Sequence, residues 1–435
     1  MKSDRRAPVA IIGAGFSGTM VAAHLARRGL ASVIIEASDR AGQGTAFSTG
    51  DPAHLLNIPA GNMSAWPERP ADFAERHGDP RGFAQRRHFG AYLRSILDEA
   101  LATGKVELLN RRATGAERDG PAWRIQLDGG DLIVADALVL ATGNQPPAAL
   151  AFAAEADERL VANPWGPRAS SAIRDAAERH LDIMILGAGL TMIDVVLSLD
   201  SAGHQGRMLA LSRRGLLPRS HQAHEPAPLE WKEIPAGSAR NLLHWLRKRS
   251  GAVGWRAAVD SIRPHSQRLW QSLGADQQRL FLRHARPWWD VHRHRIAPEV
   301  AAKLAGLIAS GRLQVAAGRI AGVRPADDGL EVQVRKRGQD QASAESFGYL
   351  FNCTGPLGEI GRTADPLIRS LLDEGLARPD HLGIGLSVDD ASRAGERLWA
   401  LGALTKGRYW EIIAVPDIRD QAALVAQDIA TELGQ

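Results

Sequence analysis

Residues 9–38 read VAIIGAGFSGTMVAAHLARRGLASVIIEAS. The first four of them predict a buried strand, residues 16–28 have the apolar spacing of a helix, and residues 33–35 predict a second strand. The turn between the first strand and the helix has the spacing G-x-G-x-x-G, supplied by Gly13, Gly15 and Gly18. Because strand, glycine turn, helix and second strand follow one another directly, this stretch predicts a βαβ unit that binds a dinucleotide.

Each glycine of such a turn has a physical reason. Gly13 permits the tight turn, Gly15 lets the backbone approach a pyrophosphate, and Gly18 lets the helix pack on the strand. The helix N-terminus offers free N–H groups and the positive end of the helix dipole to the same phosphates. Glu36 ends the second strand, where its carboxylate can accept hydrogen bonds from ribose hydroxyls. A carboxylate disfavours a 2′-phosphate, so this unit is predicted to bind FAD or NAD rather than NADP.

A second copy of the pattern begins at residue 183. A strand over residues 183–186 is followed by Gly187 and Gly189, while Met192 occupies the third glycine position. A helix is predicted from residue 190 to about residue 199, and a further strand over residues 208–211. That strand ends in hydroxyl and guanidinium groups suited to the 2′-phosphate of NADP, namely Ser212, Arg213 and Arg214. The alternative is that the two arginines are solvated loop charges.

The composition excludes several classes of protein. The chain has 435 residues, of which 44% are hydrophobic and 23% charged, as in globular proteins. Its one cysteine, Cys353, cannot form an internal disulfide, which excludes a redox-active cysteine pair and a cysteine-rich zinc site. His292 and His294 have i, i+2 spacing, wrong for two ligands on one helix face, so no metal is expected. With no signal-peptide pattern and no apolar run of ~18 residues, we expect a cytoplasmic protein that does not interact with membranes.

Basic and aromatic residues are concentrated in one segment. Residues 213–299 contain sixteen Arg and Lys against seven Asp and Glu, and six of the eleven Trp. Helical apolar patterns predict a mainly helical insertion at about 216–296. Since Arg and Trp together bind anionic or aromatic molecules, part of it is a predicted substrate wall, formed by Arg286, Trp288, Trp289 and His292. Alternatively, these tryptophans form the core of the insertion and the charges its solvated face. The phosphate of a cofactor accounts for the basic charge without a nucleic-acid partner.

Residues 106–109, 123–127 and 132–134 predict strands of hairpins, and residues 137–140 and 349–351 predict two further strands. Each of these last two is followed by Thr-Gly, at Thr142–Gly143 and Thr354–Gly355. With the two glycine turns they resemble the two-dinucleotide-binding-domain flavoproteins. The segment GQGTAFSTGDPAHLLNIPAGNMSAWPERPADF looks most like the YdhS-type bacterial FAD/NAD(P)-binding proteins, and more distantly like flavin-containing and N-hydroxylating monooxygenases. The chain departs from the N-hydroxylase pattern at Asn144, where a tyrosine would stand, and Ala403 replaces the usual aspartate after Gly402.

The resemblance implies an α/β fold with two Rossmann-like domains. The FAD domain would comprise residues 1–160 and a closing part at 346–435, and the NAD(P)H domain residues 161–345 with the helical insertion. Asn57 would position the reactive edge of the flavin or the nicotinamide; alternatively it orders its loop. The residues that would bind FAD are Gly13, Gly15, Phe16, Ser17, Gly18, Glu36, Gly44, Thr45, Asn57, Met63, Thr142, Gly143, Gly402 and Ile413. NADP would be bound by Gly187, Gly189, Ser212, Arg213 and Arg214.

FAD and NADPH would together supply the redox chemistry. The sequence therefore predicts an oxidoreductase that most resembles a monooxygenase, which would oxygenate a small, anionic or aromatic molecule with O₂ through a hydroperoxyflavin. One alternative is a reductase or dehydrogenase with the same cofactors and no oxygen transfer. The other is a flavin-binding redox sensor without turnover.

Overall fold

The structure is a computed structural model that describes residues 5–153 and 157–434. Its first sheet has the strand order β14-β15-β6-β1-β2-β3, with the hairpin β4–β5 attached to β6. The strands are β1 (Arg5–Ile12), β2 (Ser32–Glu36), β3 (Val106–Asn110), β4 (Ala113–Asp119), β5 (Ala122–Leu127), β6 (Leu132–Leu140), β14 (Arg393–Gly395) and β15 (Leu398–Ala400). The strands β15, β6, β1, β2 and β3 run parallel, and β14 and the hairpin are antiparallel.

The second sheet has the order β12-β11-β10-β9-β8-β13-β7. Its strands are β7 (Leu160–Val161), β8 (Ile183–Leu186), β9 (Met208–Ser212), β10 (Leu313–Ala326), β11 (Gly329–Lys336), β12 (Ser343–Phe347) and β13 (Tyr349–Asn352). The strands from β7 to β10 pair in parallel, and β11 and β12 extend β10 as an antiparallel meander. The mixed α/β class with two largely parallel sheets, predicted from the two βαβ patterns, is confirmed.

Helices cover both sheets and build the insertion. They are α1 (Phe16–Arg27), α2 (Gly44–Phe47), α3 (Asp72–His77), α4 (Arg86–Ala102), α5 (Pro167–Glu178), α6 (Leu190–Ser201), α7 (Ala239–Val253), α8 (Trp255–Ile262), α9 (Ser266–Ser272), α10 (Ala275–Leu280), α11 (Arg286–Arg293), α12 (Pro298–Ala309), α13 (Pro366–Asp373) and α14 (Val415–Glu432). A π-helical turn, Phe281–Ala285, joins α10 to α11. The segment between β9 and α12 is thus mainly helical in the structure.

Strand β1 shows why the first sheet is buried on both faces. Its central residues alternate, so that Val9 and Ile11 enter the core under α1, α4 and α14, while Ala10 and Ile12 enter the core under the β4–β5 hairpin and α13. All four are at most 7% exposed. Parallel sheets require cover on both faces, which explains the continuous apolar run at residues 9–12.

Three strand predictions need correction. Residues 132–140 form one strand instead of two, because they pair with β1 along its whole length from Arg5 to Ile12; the Arg6 guanidinium of β1 also donates a 3.1 Å hydrogen bond to Asp136. Residues 106–110 form a parallel strand rather than part of a hairpin, since α4 carries the chain across the sheet between β2 and β3. Strand β13 was assigned to the closing FAD part at 346–435, but it pairs with β8 and β7 in the second sheet.

Candidate dinucleotide and substrate sites

The first glycine turn is as compact as its sequence predicts. Gly13 has φ +102°, and a Cβ atom on it would lie 2.5 Å from the carbonyl oxygen of Ala141, just after β6. A Cβ atom on Gly18 would lie 1.9 Å from the carbonyl oxygen of Gly13. Any larger residue at either position would therefore force the turn, the strand β6 and the helix α1 apart. The turn lies between β1 and β6, at the carboxyl edge where α/β sheets bind their ligands.

Glu36 is tied to this turn. Its Oε2 accepts a hydrogen bond of 2.7 Å from the Ala14 N–H, and its Oε1 accepts one of 2.8 Å from the Ser38 N–H. The carboxylate therefore fixes the turn through its backbone. Carboxylate oxygens accept more than one hydrogen bond each, so capacity remains for the ribose hydroxyls that the sequence assigns to this residue.

Glycines from two further segments surround the same edge. Gly44, at φ +59°, begins α2, and a Cβ atom on it would lie 3.0 Å from the Cα of Gly15; Thr45 follows it and is exposed. Gly143, at φ +69° after β6, is exposed beside the half-buried Thr142. The structure thus brings these predicted residues to the same edge of the sheet.

Gly402 completes the edge from the end of the chain. It follows β15 with φ +59°, its N–H donates 2.8 Å to the Gln421 side chain of α14, and its missing Cβ would lie 3.3 Å from Ser17 Oγ. Ile413 precedes α14 and is 50% exposed, which is unusual for a large apolar side chain. The N-terminal parts of α1 and α14 therefore both lie beside Gly402, and we call the space along this edge of the sheet the first cleft.

Two predicted flavin residues have buried side chains, and a third, Asn57, contacts the insertion. The side chain of Met63 is 2% exposed within the first core, and Phe16 is 7% exposed in the same core, so their side chains stabilise the fold instead of facing the cleft. Phe16 keeps its place at the first turn of α1, where its backbone N–H is available. Asn57 is half-buried, and its carbonyl oxygen accepts a 2.9 Å hydrogen bond from His221 Nε2 of the insertion. Its side-chain amide has no partner in the described parts of the chain.

The second glycine turn repeats the first. Gly187 has φ +120°, and a Cβ atom on it would lie 2.1 Å from the carbonyl oxygen of Cys353, just after β13. Gly189 precedes α6 and has no other atom within 4 Å of its Cβ position. Met192, in the third glycine position, is a fully buried residue of α6. Strand β13 plays the part in the second sheet that β6 plays in the first, which explains why it belongs there.

The basic end of β9 is open. Ser212 Oγ accepts a 3.0 Å hydrogen bond from the Gly215 N–H and shapes the turn. Arg213 is exposed and Arg214 half-buried, and neither guanidinium has an ion-pair or hydrogen-bond partner within residues 5–153 and 157–434. Two unpaired arginines at the end of the second strand of a βαβ unit are available to a phosphate.

A buried cluster fastens the two dinucleotide units together. Arg86 Nη2 donates 2.9 Å to Asp194 Oδ1, and the two side chains are 15% and 7% exposed. His54 Nε2 donates 3.0 Å to the carbonyl oxygen of Asp194. Arg86 begins α4 in the first unit and Asp194 lies in α6, the nucleotide-binding helix of the second. We call Arg86, His54 and Asp194 the interdomain latch.

The insertion contacts the closing segment through Glu411. Its carboxylate accepts hydrogen bonds from Trp289 Nε1 and, at 3.0 Å, from Arg293 Nε. The Arg293 and Glu411 side chains are 8% and 6% exposed. Glu411 has φ +67°, a left-handed conformation that is costly for residues other than glycine and persists only where its surroundings enforce it. Burial lowers the pKa of the neighbouring His294, so Arg293 supplies the positive charge opposite Glu411.

The other predicted substrate residues are distributed around α11. The Arg286 guanidinium lies 3.3 Å from Asp290 and 5.7 Å from the Trp410 ring centre. Trp288 is 48% exposed, and His292 packs edge-on against Trp255 at 4.9 Å. Only Trp289, of these four, reaches the closing segment through a hydrogen bond. The amphipathic helix buries that one face and leaves Trp288 toward solvent.

No arrangement of three or more His, Cys, Asp or Glu side chains suited to a metal ion occurs in the described residues. Within the same residues, no helix combines the length and the hydropathy needed to cross a bilayer.

Two largely parallel sheets, each with a glycine turn that packs against a neighbouring strand, define the fold class: two Rossmann-like domains in one chain. Residues 10–145 match the FAD-NAD(P)-binding family, which confirms the prediction of an FAD and NAD(P) cofactor fold. Uncharacterised proteins of Mycobacterium bovis and Mycobacterium tuberculosis are 22% identical over 395 residues, 79% of this chain and 72% of theirs. The closer likeness to the YdhS-type proteins stays a prediction.

Solved structures share the fold over nearly the whole chain. Ornithine hydroxylase from Pseudomonas aeruginosa is 15% identical with a TM-score of 0.68 over 98% of this chain and 99% of that chain. Ornithine N-hydroxylase from Kutzneria, a structure with reduced FAD, NADP⁺ and L-ornithine, is 16% identical with a TM-score of 0.68 over 99% and 100%. The bacillithiol disulfide reductase of Staphylococcus aureus is 13% identical with a TM-score of 0.60 over 99% and 100%. The fold therefore occurs in monooxygenases and in reductases.

Proposed function

We propose that this protein is an FAD-dependent oxidoreductase that uses NADPH and acts as a single-component monooxygenase on a small molecule. The proposal rests on the two glycine turns, which lie in two domains joined by the interdomain latch. The first turn ends beside a carboxylate, Glu36, and the second beside two unpaired guanidinium groups, Arg213 and Arg214. This difference favours FAD in the first domain and a 2′-phosphorylated nicotinamide nucleotide in the second.

The residues of the first cleft fit FAD. Gly13, Gly15 and Gly44 place no side chain where a dinucleotide backbone would pass, and the α1 N-terminus offers N–H donors to its pyrophosphate. Glu36 would hold the adenosine ribose, and Gly402 with the α14 N-terminus would face the flavin end. When bound, FAD takes a hydride from the nicotinamide and passes electrons to oxygen or to another acceptor. The chain itself binds the two cofactors, orients them and excludes water from the cleft between them.

A disulfide-reducing function is disfavoured. Cys353 is the one cysteine of the chain, is 4% exposed, and lies in the second domain with its carbonyl oxygen against Gly187. Burial raises the pKa of its thiol, so it is a poor nucleophile. A reductase or dehydrogenase that passes electrons to another acceptor remains the second candidate, since a reductase shares the fold.

Anaerobic titration with NADPH and, in parallel, NADH tests the proposal. We expect purified protein to carry or accept FAD, and its ~450 nm band to bleach with NADPH in preference to NADH. Admission of air should then yield a hydroxylated product when substrate is present, with one NADPH oxidised per product molecule. NADPH oxidation that needs an added electron acceptor and gives no oxygenated product would support the reductase. Flavin that NADPH never reduces would indicate a sensor, and no flavin binding would refute the proposal.

A further inference from the structure

A groove of about 670 Å³ lies between the insertion and the N-terminal half of α14. The insertion contributes Arg263 and Gln267, α14 contributes Asp417, and the segment before α3 contributes Asn62. The groove adjoins the flavin edge of the proposed site, because Ile412 and Pro416, which line it, flank the exposed Ile413. Its volume is in the range of pockets that enclose small organic molecules.

Two opposite charges line this groove without pairing. Neither the Arg263 guanidinium nor the Asp417 carboxylate has a hydrogen bond or an ion pair within 4 Å among the described residues. Both residues are nevertheless half-buried, and burial accordingly lowers the pKa of Arg263 and raises the pKa of Asp417. The charged groups near Arg263 are Asp417, Glu411, Asp260 and Arg293. Two of them, Glu411 and Arg293, already form an ion pair with each other.

Desolvated charges without partners are costly, and a ligand that carries the complementary groups removes that cost. The guanidinium offers a planar fork to a carboxylate, whereas Asp417 accepts a hydrogen bond from a neighbouring N–H or O–H group. We propose that this groove is the substrate site and that it binds a small organic acid, with the carboxylate on Arg263 and an adjacent hydrogen-bond donor on Asp417.

This assignment rests on the proposed function for its turnover, and it moves the substrate away from α11. None of Arg286, Trp288, Trp289 and His292 lines the groove. The insertion would thus bind the substrate through its α8–α9 connection, where Arg263 lies, while Trp289 and Arg293 of α11 hold the closing segment in place.

Isothermal titration calorimetry of the full-length protein in its flavin-loaded form, without NADPH, tests the assignment. The probes are anthranilate, which carries a carboxylate and an adjacent amine, benzoate, which lacks the amine, and aniline, which lacks the carboxylate. We expect anthranilate to bind more tightly than benzoate, and aniline to bind least. Arg263→Met should weaken both carboxylates by about tenfold or more, with partial rescue in Arg263→Lys. Asp417→Leu, which removes the hydrogen-bond acceptor, should abolish only the advantage of anthranilate over benzoate.

Arg268→Met is the matched control, because Arg268 lies on the neighbouring helix over the Trp231 ring, outside the groove. It should leave all three affinities unchanged, and far-UV circular dichroism should show that every variant is folded. The proposal is overturned if wild-type protein does not bind the carboxylates, if Arg263→Met binds them as wild type does, or if aniline binds as tightly as benzoate. Binding is measured without turnover, so carboxylate binding in a protein that NADPH cannot reduce refutes the proposed function alone.

Discussion

Loss of the Arg293–Glu411 ion pair should lower the free energy of unfolding strongly. Glu411→Gln keeps the size of the side chain and removes its charge, which leaves Arg293 buried opposite a neutral amide. Both side chains are under 10% exposed and 3.0 Å apart, so water cannot replace the lost partner. Breaking such a pair costs about 3–5 kcal/mol, which corresponds to a fall in melting temperature of roughly 6–20 °C for a large domain.

Thermal and urea unfolding of four variants separates the charge effect from local disruption. Arg293→Met alone should cost a similar amount, and the double variant should cost less than the sum of the two by about 1 kcal/mol or more, because it leaves no unpaired charge. Asp276→Asn is the control: it breaks the exposed Arg279–Asp276 pair of the same insertion, whose side chains are 56% and 91% exposed, and should cost under about 1 kcal/mol. A Glu411→Gln cost no larger than that of Asp276→Asn, or strictly additive effects, would refute the reasoning.

Three further predictions concern the glycine turn, the nucleotide preference and pH. Gly18→Ala should prevent stable folding of the first domain, because the new Cβ would lie 1.9 Å from a carbonyl oxygen. The control is Gly306→Ala, at an open position on α12, which should raise the free energy of unfolding by about 0.5–1 kcal/mol. Thermal unfolding of both variants tests this prediction. Replacing Arg213 and Arg214 by serine should raise the KM for NADPH about tenfold or more and leave that for NADH unchanged in steady-state assays; equal changes for both would contradict the phosphate assignment. Burial lowers the pKa of His24 to about 4, so between pH 4 and 6.5 the unfolded chain binds more protons than the folded chain. The contribution of His24 to stability should therefore be complete above pH 6.5 and decrease as the pH falls toward 4. His24→Phe should flatten that part of the urea-unfolding profile, and an unchanged slope would argue against it.

The sequence predicts the local parts of this fold well. Strand, glycine turn and helix follow one another directly around Gly13 and Gly187, so periodicity and spacing suffice to place them. The sequence divides the long strand at 132–140 in two because Asp136 interrupts its apolar run, whereas in the structure the partly exposed Asp136 accepts a hydrogen bond from Arg6 of β1. The two residues are 130 positions apart in the chain, so the sequence around Asp136 does not indicate its partner.

The candidate site was predictable only where its residues stand next to a turn. The glycines and Arg213 follow from their positions at strand ends. Glu411, Arg263 and Asp417 follow no motif, and they become notable only when the insertion packs on the closing segment. The sequence contains one indication that Glu411 is buried, since it lies between the aromatic pair Tyr409–Trp410 and two isoleucines. A charged residue in such a context is nevertheless usually a surface residue.

The interdomain latch also bears on how such a chain can change over evolutionary time. Asp194 lies on the helix that begins the second nucleotide fold, and its partner belongs to the first. A second domain exchanged for that of a relative would bring its own residue to position 194 and leave Arg86 buried without a counter-charge. Exchange of one half alone would therefore cost stability unless the incoming domain also carries a carboxylate at position 194.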